Sequence, residues 1–171
     1  MEEFTTKWFN CTDNILQKHK DIEIRQRYCF IFTKDNKIVI VSKDNKDWQF
    51  PGGHPDNNED WQKTLIREIW EETGIDIKER INSVFKIGYY LVEFPQEKFL
   101  QERYILNLNR ESKSLSLKPH ENEDDNTPII KYVKAIPVNK IGKYIPWALE
   151  VDGWKTAINY SNKNETKKEV L

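Results

Sequence analysis

The chain has 171 residues, a length that fits one domain able to bury a core without staples. Its 27 Lys and Arg against 28 Asp and Glu leave a net charge of -1, which excludes a bulk field drawing the whole protein to nucleic acid or an anionic membrane; an anionic ligand must be held by local basic groups or metal. Cys11 and Cys29 are too few for a disulfide framework and lack metal-ligand spacing, the segment 1–7 lacks the character of a signal peptide, and no apolar run approaches membrane-spanning length, so a soluble cytoplasmic protein is expected.

Residues 4–20 mix Trp8, Phe9, Ile15 and Leu16 with polar side chains and fit either a short strand and turn or a helical start. From Ile24 to Phe32 β-forming residues dominate, and Lys34–Lys37 separates them from Ile38–Val41, which predicts an antiparallel hairpin. Alternation would put Arg25 and Arg27 on one face, where they can meet an anion together; a solvated strand edge is the plainer reading. Trp48–Gln49–Phe50 leads through Pro51–Gly52–Gly53, whose glycines allow a tight turn and close backbone approach. From Asp60 to Thr73 the spacing of Trp61, Leu65 and Ile69, broadened by Ile66, predicts a helix with one core stripe, and Gly74 is suited to end it. Ile75 and Ile77 then suggest a strand.

Segments 83–94 and 102–108 read as a second hairpin around the polar 95–98. Residues 110–127 are polar and read as a loop, 129–138 as a strand, 139–144 as a turn or short helix and 154–160 as a helix. A single domain over 1–171 is expected, with the polar tail 161–171 frayed. Strands before the central helix, with strands and helices after it, indicate a mixed α/β sheet protein.

The chemistry concentrates on that helix. Glu68, Glu71 and Glu72 are three and four residues apart, so their carboxylates share one side. Like charges at that spacing cost ~0.2–0.5 kcal/mol per pair, and a hard divalent cation is the simplest remedy. Magnesium takes carboxylate and water oxygens and is commonly shared with substrate phosphates, so the pattern points to cleavage of a phosphate anhydride.

Gly53-x5-Glu59-x7-Arg67-Glu68-Ile69-x-Glu71-Glu72-x-Gly74-Ile75 matches every fixed position of the Nudix box and so resembles the Nudix hydrolase family. The resemblance covers residues 53–75 and implies an α/β/α sandwich around a mixed β-sheet, with Mg2+ or Mn2+ as cofactor. It also implies hydrolysis of a nucleoside diphosphate linked to another moiety. By this likeness Glu71 and Glu72 resemble the principal metal ligands, and Glu68 completes the metal shell or acts as base. Arg67 resembles the arginine that orients a neighbouring glutamate. Glu59 resembles the upstream glutamate that supports the loop or joins the shell, and Gly53 the glycine whose backbone approaches metal or phosphate.

A base outside the box is available in Glu121 or Glu123, whose plainer reading is an exposed acidic loop. Arg103, with Arg25 and Arg27, is a candidate substrate contact. Trp48, Tyr89 and Tyr90 are candidates for stacking on a base, and His54 and His120 for contacting phosphate; all have incidental or core readings. The expected partner is a small-molecule nucleotide, assigned to the triphosphate class, with neither membrane nor nucleic acid; a homodimer stays open. The competing class is a catalytically silent Nudix-fold nucleotide-binding or regulatory domain, which the intact acidic set disfavours.

Overall fold

The computed structural model describes residues 4–11, 19–120 and 129–166. The described residues form eight strands and two α-helices, in the order β1 (Thr5–Asn10), β2 (Ile24–Phe32), β3 (Lys37–Ser42), β4 (Trp48–Gln49), β5 (Gly52–Gly53), α1 (Trp61–Thr73), β6 (Phe85–Glu93), β7 (Lys98–Asn107), β8 (Tyr132–Pro137) and α2 (Asp152–Thr166). The main strand order is β1-β6-β7-β2-β3-β4, with β5 on β2 and β8 on β3. The β2–β7 pair is parallel and the other pairings are antiparallel, which makes the sheet mixed.

Strands buried on both faces read as nearly continuous apolar runs, and β3 and the second half of β2 do so for that reason. Alternation sends Cys29, Ile31 and Val39 to one side, where they meet Leu65 and Ile69 of α1 together with Tyr104 and Leu106 of β7. It sends Phe30, Phe32, Ile38 and Ile40 to the other, against Trp154 and Ala157 of α2. Helices on both faces of the sheet give the expected sandwich. Leu65 and Ile69 are fully buried, and each is worth ~1.5–3 kcal/mol of transfer free energy. Trp61, at the start of the same stripe, stacks on Tyr104 with centroids 5.2 Å apart.

Both hairpins form, but the first opens early. Its turn places Asn36 at φ 54, and of the β2–β3 register only Phe32 faces Ile38 before the strands part. Into the gap comes β5, with Gly53 opposite Arg27 and Gly52 opposite Tyr28, while the Cys29 N–H donates to the Pro51 carbonyl at 2.9 Å. The glycine turn is thereby stitched to the middle of the sheet.

Three expectations need adjusting. Ile75 and Ile77 start no strand: the chain enters a 3-10 segment, Lys78–Ser83, and the two isoleucines instead fill the core beneath α1. Their apolar alternation is therefore core filling in an irregular connection, not a pleated ladder. Within the undecided start, Thr5–Asn10 forms strand β1, paired along β6 from Thr5↔Glu93 to Asn10↔Gly88, while residues 12–18, with Ile15 and Leu16, lie outside the described residues. Helix α2 begins two residues before the expected Trp154 and runs to Thr166, and residues 167–171 of the polar tail lie outside the described residues. Among the described residues no helix is long and apolar enough to cross a membrane.

Candidate functional site

Two local devices fix the loop and helix that carry the acidic residues. Asp60 caps α1, its side chain accepting the Lys63 N–H at 2.9 Å, and the preceding loop closes by hydrogen bonds from Glu59 N–H to the Asp56 carbonyl and from Asp56 N–H to the Glu59 carboxylate, both 3.0 Å. At the other end Gly74 turns left-handed at φ 74 and donates to the Trp70 carbonyl. A Cβ on Gly74 would lie 2.6 Å from the Lys118 carbonyl oxygen, because the polar loop passes close by. That loop satisfies carbonyls in the last turn of the helix: Lys118 N–H donates to Thr73 and His120 N–H to Glu71.

Arg67 is the hub between these ends. Its Nε and Nη2 donate to the two oxygens of Glu59 at 3.0 and 2.9 Å, and its Nη1 reaches Glu68 at 2.9 Å and Glu71 at 3.2 Å. The His54 carbonyl accepts from Nη2, and Asp56 lies 3.3 Å from Nε. Hydrogen bonds from Arg67 hold the Glu59 carboxyl down at about 2, and the same contacts raise the Arg67 pKa. Glu68 behaves in the opposite way: burial lifts its carboxyl to about 7 against the pull of Arg67, and Glu71 adds to the rise. Glu72, deeper still, is raised well above the ordinary carboxylate range by burial, with the Gly52 N–H at 2.8 Å opposing.

The two glycines of β5 have different tasks. A Cβ on Gly53 would sit 2.6 Å from Glu68 Oε1, so this glycine leaves room for the carboxylate. Gly52, at φ 133, has the Arg27 carbonyl oxygen 2.1 Å from where a Cβ would be, so its constraint is backbone against backbone. Among the described residues no three carboxylate or imidazole groups converge into a preformed metal cage. The reason is visible: Glu68 and Glu71 turn an oxygen to Arg67, and Glu72 turns one to Gly52.

Glu68, Glu71, Glu72, Arg67 and Gly53 line a cleft of about 660 Å³ beside α1, and Lys43, Gln49, His54 and His120 line it too. Glu59 sits behind Arg67 as its anchor. Glu121 and Glu123 lie outside the described residues. Arg25 and Arg27 do not point together, because the β2–β7 register shifts between Ile24 and Gln26. Arg25 lies over the Phe99 ring at 4.2 Å and pairs with Glu97 and Glu23, whereas Arg27 is buried beneath α1. There Arg27 donates to Glu102 at 3.0 Å and to Thr64 at 2.8 Å, and Glu102 also takes Tyr104 and Lys86. Trp48 is buried in the α2-side core under Lys134, 4.6 Å from its ring. Tyr89 packs with Phe9, while Tyr90 stays on the α2 side.

A second pocket of about 460 Å³ adjoins the acidic cleft, and Tyr28 and Gln49 line both. Its walls are mainly aromatic, with Phe50, Tyr90, Phe99 and Trp147 among them, and Arg103 is set into it. Sequence reasoning missed Tyr28, Gln49 and Lys43. Tyr28 sits between Arg27 and Cys29 on a strand whose faces cannot be assigned until α1 and α2 are placed. Lys43 follows the β3 run, and its charge opposes the rise at Glu72.

Comparison with known proteins adds a family frame. The family model described as NUDIX domain matches residues 23–151. The dihydroneopterin triphosphate diphosphatase of Haemophilus influenzae is 40% identical over 58 residues, which are 32% of this chain and 37% of that protein. The 8-oxo-dGTP diphosphatase of Proteus vulgaris is 38% identical over 52 residues, 28% of this chain and 46% of that protein. The chain thus spans less than half the length of these curated relatives. Among solved structures, the Bacillus subtilis pyrophosphohydrolase BsRppH superposes with a TM-score of 0.56 at 18% identity, covering 89% of this chain and 90% of the other, a likeness of fold.

Proposed function

Because this chain belongs to the NUDIX domain family, we propose that it hydrolyses a pyrophosphate bond in a nucleoside diphosphate linked to another moiety, with a nucleoside triphosphate as the favoured substrate class. The observation that carries this reading is the Arg67 hub, which gathers Glu59, Glu68 and Glu71 while Glu72 hangs from Gly52, with Arg67, Glu68, Glu71 and Glu72 lining one cleft. Two relatives, a dihydroneopterin triphosphate diphosphatase and an 8-oxo-dGTP diphosphatase, support the substrate class.

The donor set fits a hard divalent cation, Mg2+ or Mn2+. The carboxylates of Glu59, Glu68 and Glu71 gather around one guanidinium, Glu72 accepts from the Gly52 N–H beside them, and burial penalises the charges on Glu68 and Glu72. Glu68, Glu71 and Glu72 would hold the metal, with Glu59 and the Gly53 backbone beside them. When bound, such an ion polarises phosphoryl oxygens and offsets the charge that develops on them.

The protein's own groups supply the rest. Glu59 fixes Arg67, and Arg67 orients the Glu68 and Glu71 carboxylates. Glu68, oriented by Arg67 on the wall of the cleft, completes the metal shell or takes a proton from the attacking water. The water oxygen bonds to phosphorus while the bridging P–O bond breaks, and the departing phosphate carries away the bonding electron pair. Lys43 and His54 line the cleft where the phosphates would lie.

The test is a panel of nucleoside triphosphates, dinucleoside polyphosphates, ADP-ribose and nucleotide sugars, assayed with Mg2+ and Mn2+ and with products resolved. Turnover of a triphosphate to a monophosphate and pyrophosphate, reduced by roughly a hundredfold or more in Glu72→Gln, is expected. A folded protein that turns over no member overturns the reading in favour of a non-catalytic binding domain.

A further inference from the structure

Arg103 is unlike the other deeply buried cation of this fold. Arg27 pairs with Glu102, whereas among the described residues no carboxylate pairs with Arg103, although it is only 7% exposed. The parallel register places Tyr28 directly across from it, and the guanidinium carbon lies 4.7 Å from the Tyr28 ring centroid and 5.0 Å from that of Tyr90. Both rings can stabilise its charge. In its plane, Nη1 donates to the Glu102 carbonyl at 3.2 Å and Nη2 to Gln101 Oε1 at 2.9 Å. A guanidinium carries five N–H groups, so donor capacity is left over. Burial brings the Arg103 pKa down to about 10, which still leaves the group charged at neutral pH.

The position of this cation limits what it can serve. It lines the aromatic pocket, not the acidic cleft, and Tyr28 and Gln49 form the boundary between the two. A nucleotide whose phosphates lie in the cleft can extend its other end past Tyr28 toward Arg103. Phe50, Phe99 and Trp147 offer flat apolar surface there, which suits a planar ring. A free phosphate against Arg103 would leave those walls uncovered and lose its hydration. Because arginine only donates, the edge of the ring must offer neighbouring acceptors. The O6 and N7 atoms of a 6-oxopurine do so; adenine sets its N6 amino group, also a donor, against the guanidinium.

We propose that Arg103 is a specificity-determining residue that reads the O6/N7 edge of a 6-oxopurine, so that guanine- and hypoxanthine-type nucleotides are the preferred ligands of this chain. The proposal deepens the proposed function and rests on its placing the phosphates in the acidic cleft.

Binding in metal-free buffer tests it apart from catalysis. Dissociation constants for GMP, IMP, AMP and 7-deaza-GMP are measured by calorimetry on the unaltered chain and on Arg103→Gln and Arg103→Lys, with melting temperatures as a check of folding. GMP and IMP should bind at least about tenfold tighter than AMP, and 7-deaza-GMP, which lacks the N7 acceptor, should lose most of that advantage. Arg103→Gln should weaken GMP and leave AMP unchanged, and Arg103→Lys should restore the preference only in part, because the paired donors are gone. AMP binding as tightly as GMP, or 7-deaza-GMP matching GMP, overturns the proposal; the 7-deaza comparison decides even if Arg103→Gln does not fold. In parallel assays, GTP and ATP hydrolysed at equal kcat/KM overturn this proposal alone. Preferred binding of GMP with no hydrolysis of GTP overturns the catalytic reading alone.

Discussion

Replacing Gly53 by alanine separates the chemistry of the site from the stability of the fold. Nothing in the Gly53 backbone conformation demands glycine, since its φ is not among the positive values. The new methyl would meet Glu68 Oε1 at 2.6 Å, where ordinary contact begins at 3.4 Å, so the carboxylate must retreat by about 0.8 Å. Glu68 is the flexible end of a side chain and can yield at small cost, and removing a glycine also lowers the entropy of the unfolded chain, so stability should stay within ~1 kcal/mol. The proton acceptor, however, is displaced, and errors near 1 Å in a catalytic group cost up to ~100-fold. A fall in kcat of roughly 10- to 100-fold with an unchanged melting temperature is expected. Gly52→Ala is the contrasting partner: its methyl would meet the Arg27 carbonyl oxygen at 2.1 Å at φ 133, so it should destabilise by at least ~3 kcal/mol. The two variants are compared by thermal unfolding and by initial rates. Parental kcat in Gly53→Ala would refute the claim that Glu68 must stand where the structure puts it.

Removing the acid beneath α1 tests a structural pair instead. Glu102→Gln leaves Arg27 and Lys86 without their anion in a site only 3% exposed, and should destabilise by ~3–5 kcal/mol in urea unfolding; a loss below ~1 kcal/mol would show that the pair is dispensable. Glu102 has a lowered pKa: burial alone would raise it, but Lys86, Tyr104 and Arg27 together outweigh that. Its stabilisation is therefore present above the unfolded carboxylate range and lost as pH falls through the folded value, which places it below about pH 4.5. Glu68 has the reverse sign. Its carboxyl, raised to about 7 in the fold, stabilises most below the unfolded value, and that contribution is lost as pH rises toward 7. Melting temperatures of the metal-free protein should fall as pH climbs through that window, and Mg2+ should restore more stability at pH 8 than at pH 5.5. A metal-free melting temperature that rises steadily over the same window contradicts the assignment.

The acidic site was legible in the sequence because it is local. Asp60, Trp61, Leu65, Ile69 and Gly74 encode a capped amphipathic helix, and helical spacing then fixes which side Glu68, Glu71 and Glu72 share. Gly53 and Arg67 lie near enough in the chain for one motif to hold them together. What was not legible depends on contacts between distant segments. Arg27 meets Glu102 across 75 residues of sequence, and no local pattern marks it as a core cation rather than a phosphate contact. Alternation alone paired it with Arg25, until the register shift between Ile24 and Gln26 broke that relation. The aromatic pocket likewise draws Tyr28, Tyr90 and Arg103 from three strands, and only the parallel β2–β7 register brings the first and last together. Ile75 and Ile77 show the converse failure, since burial in an irregular segment produces the same alternation as a strand.

The central claim, that Glu68 and Glu71 held by Arg67, with Glu72 held by the Gly52 N–H, bind a divalent ion for pyrophosphate hydrolysis, is tested most directly by measuring Mn2+ binding and triphosphate turnover on the same samples of the unaltered chain and of Glu72→Gln. Saturable binding that tracks turnover in the unaltered chain, abolition of both by chelator, and at least about tenfold weaker binding with a roughly hundredfold or larger loss of rate in Glu72→Gln are predicted. Turnover that persists in chelator, or a folded Glu72→Gln that binds Mn2+ and turns over like its parent, would contradict it.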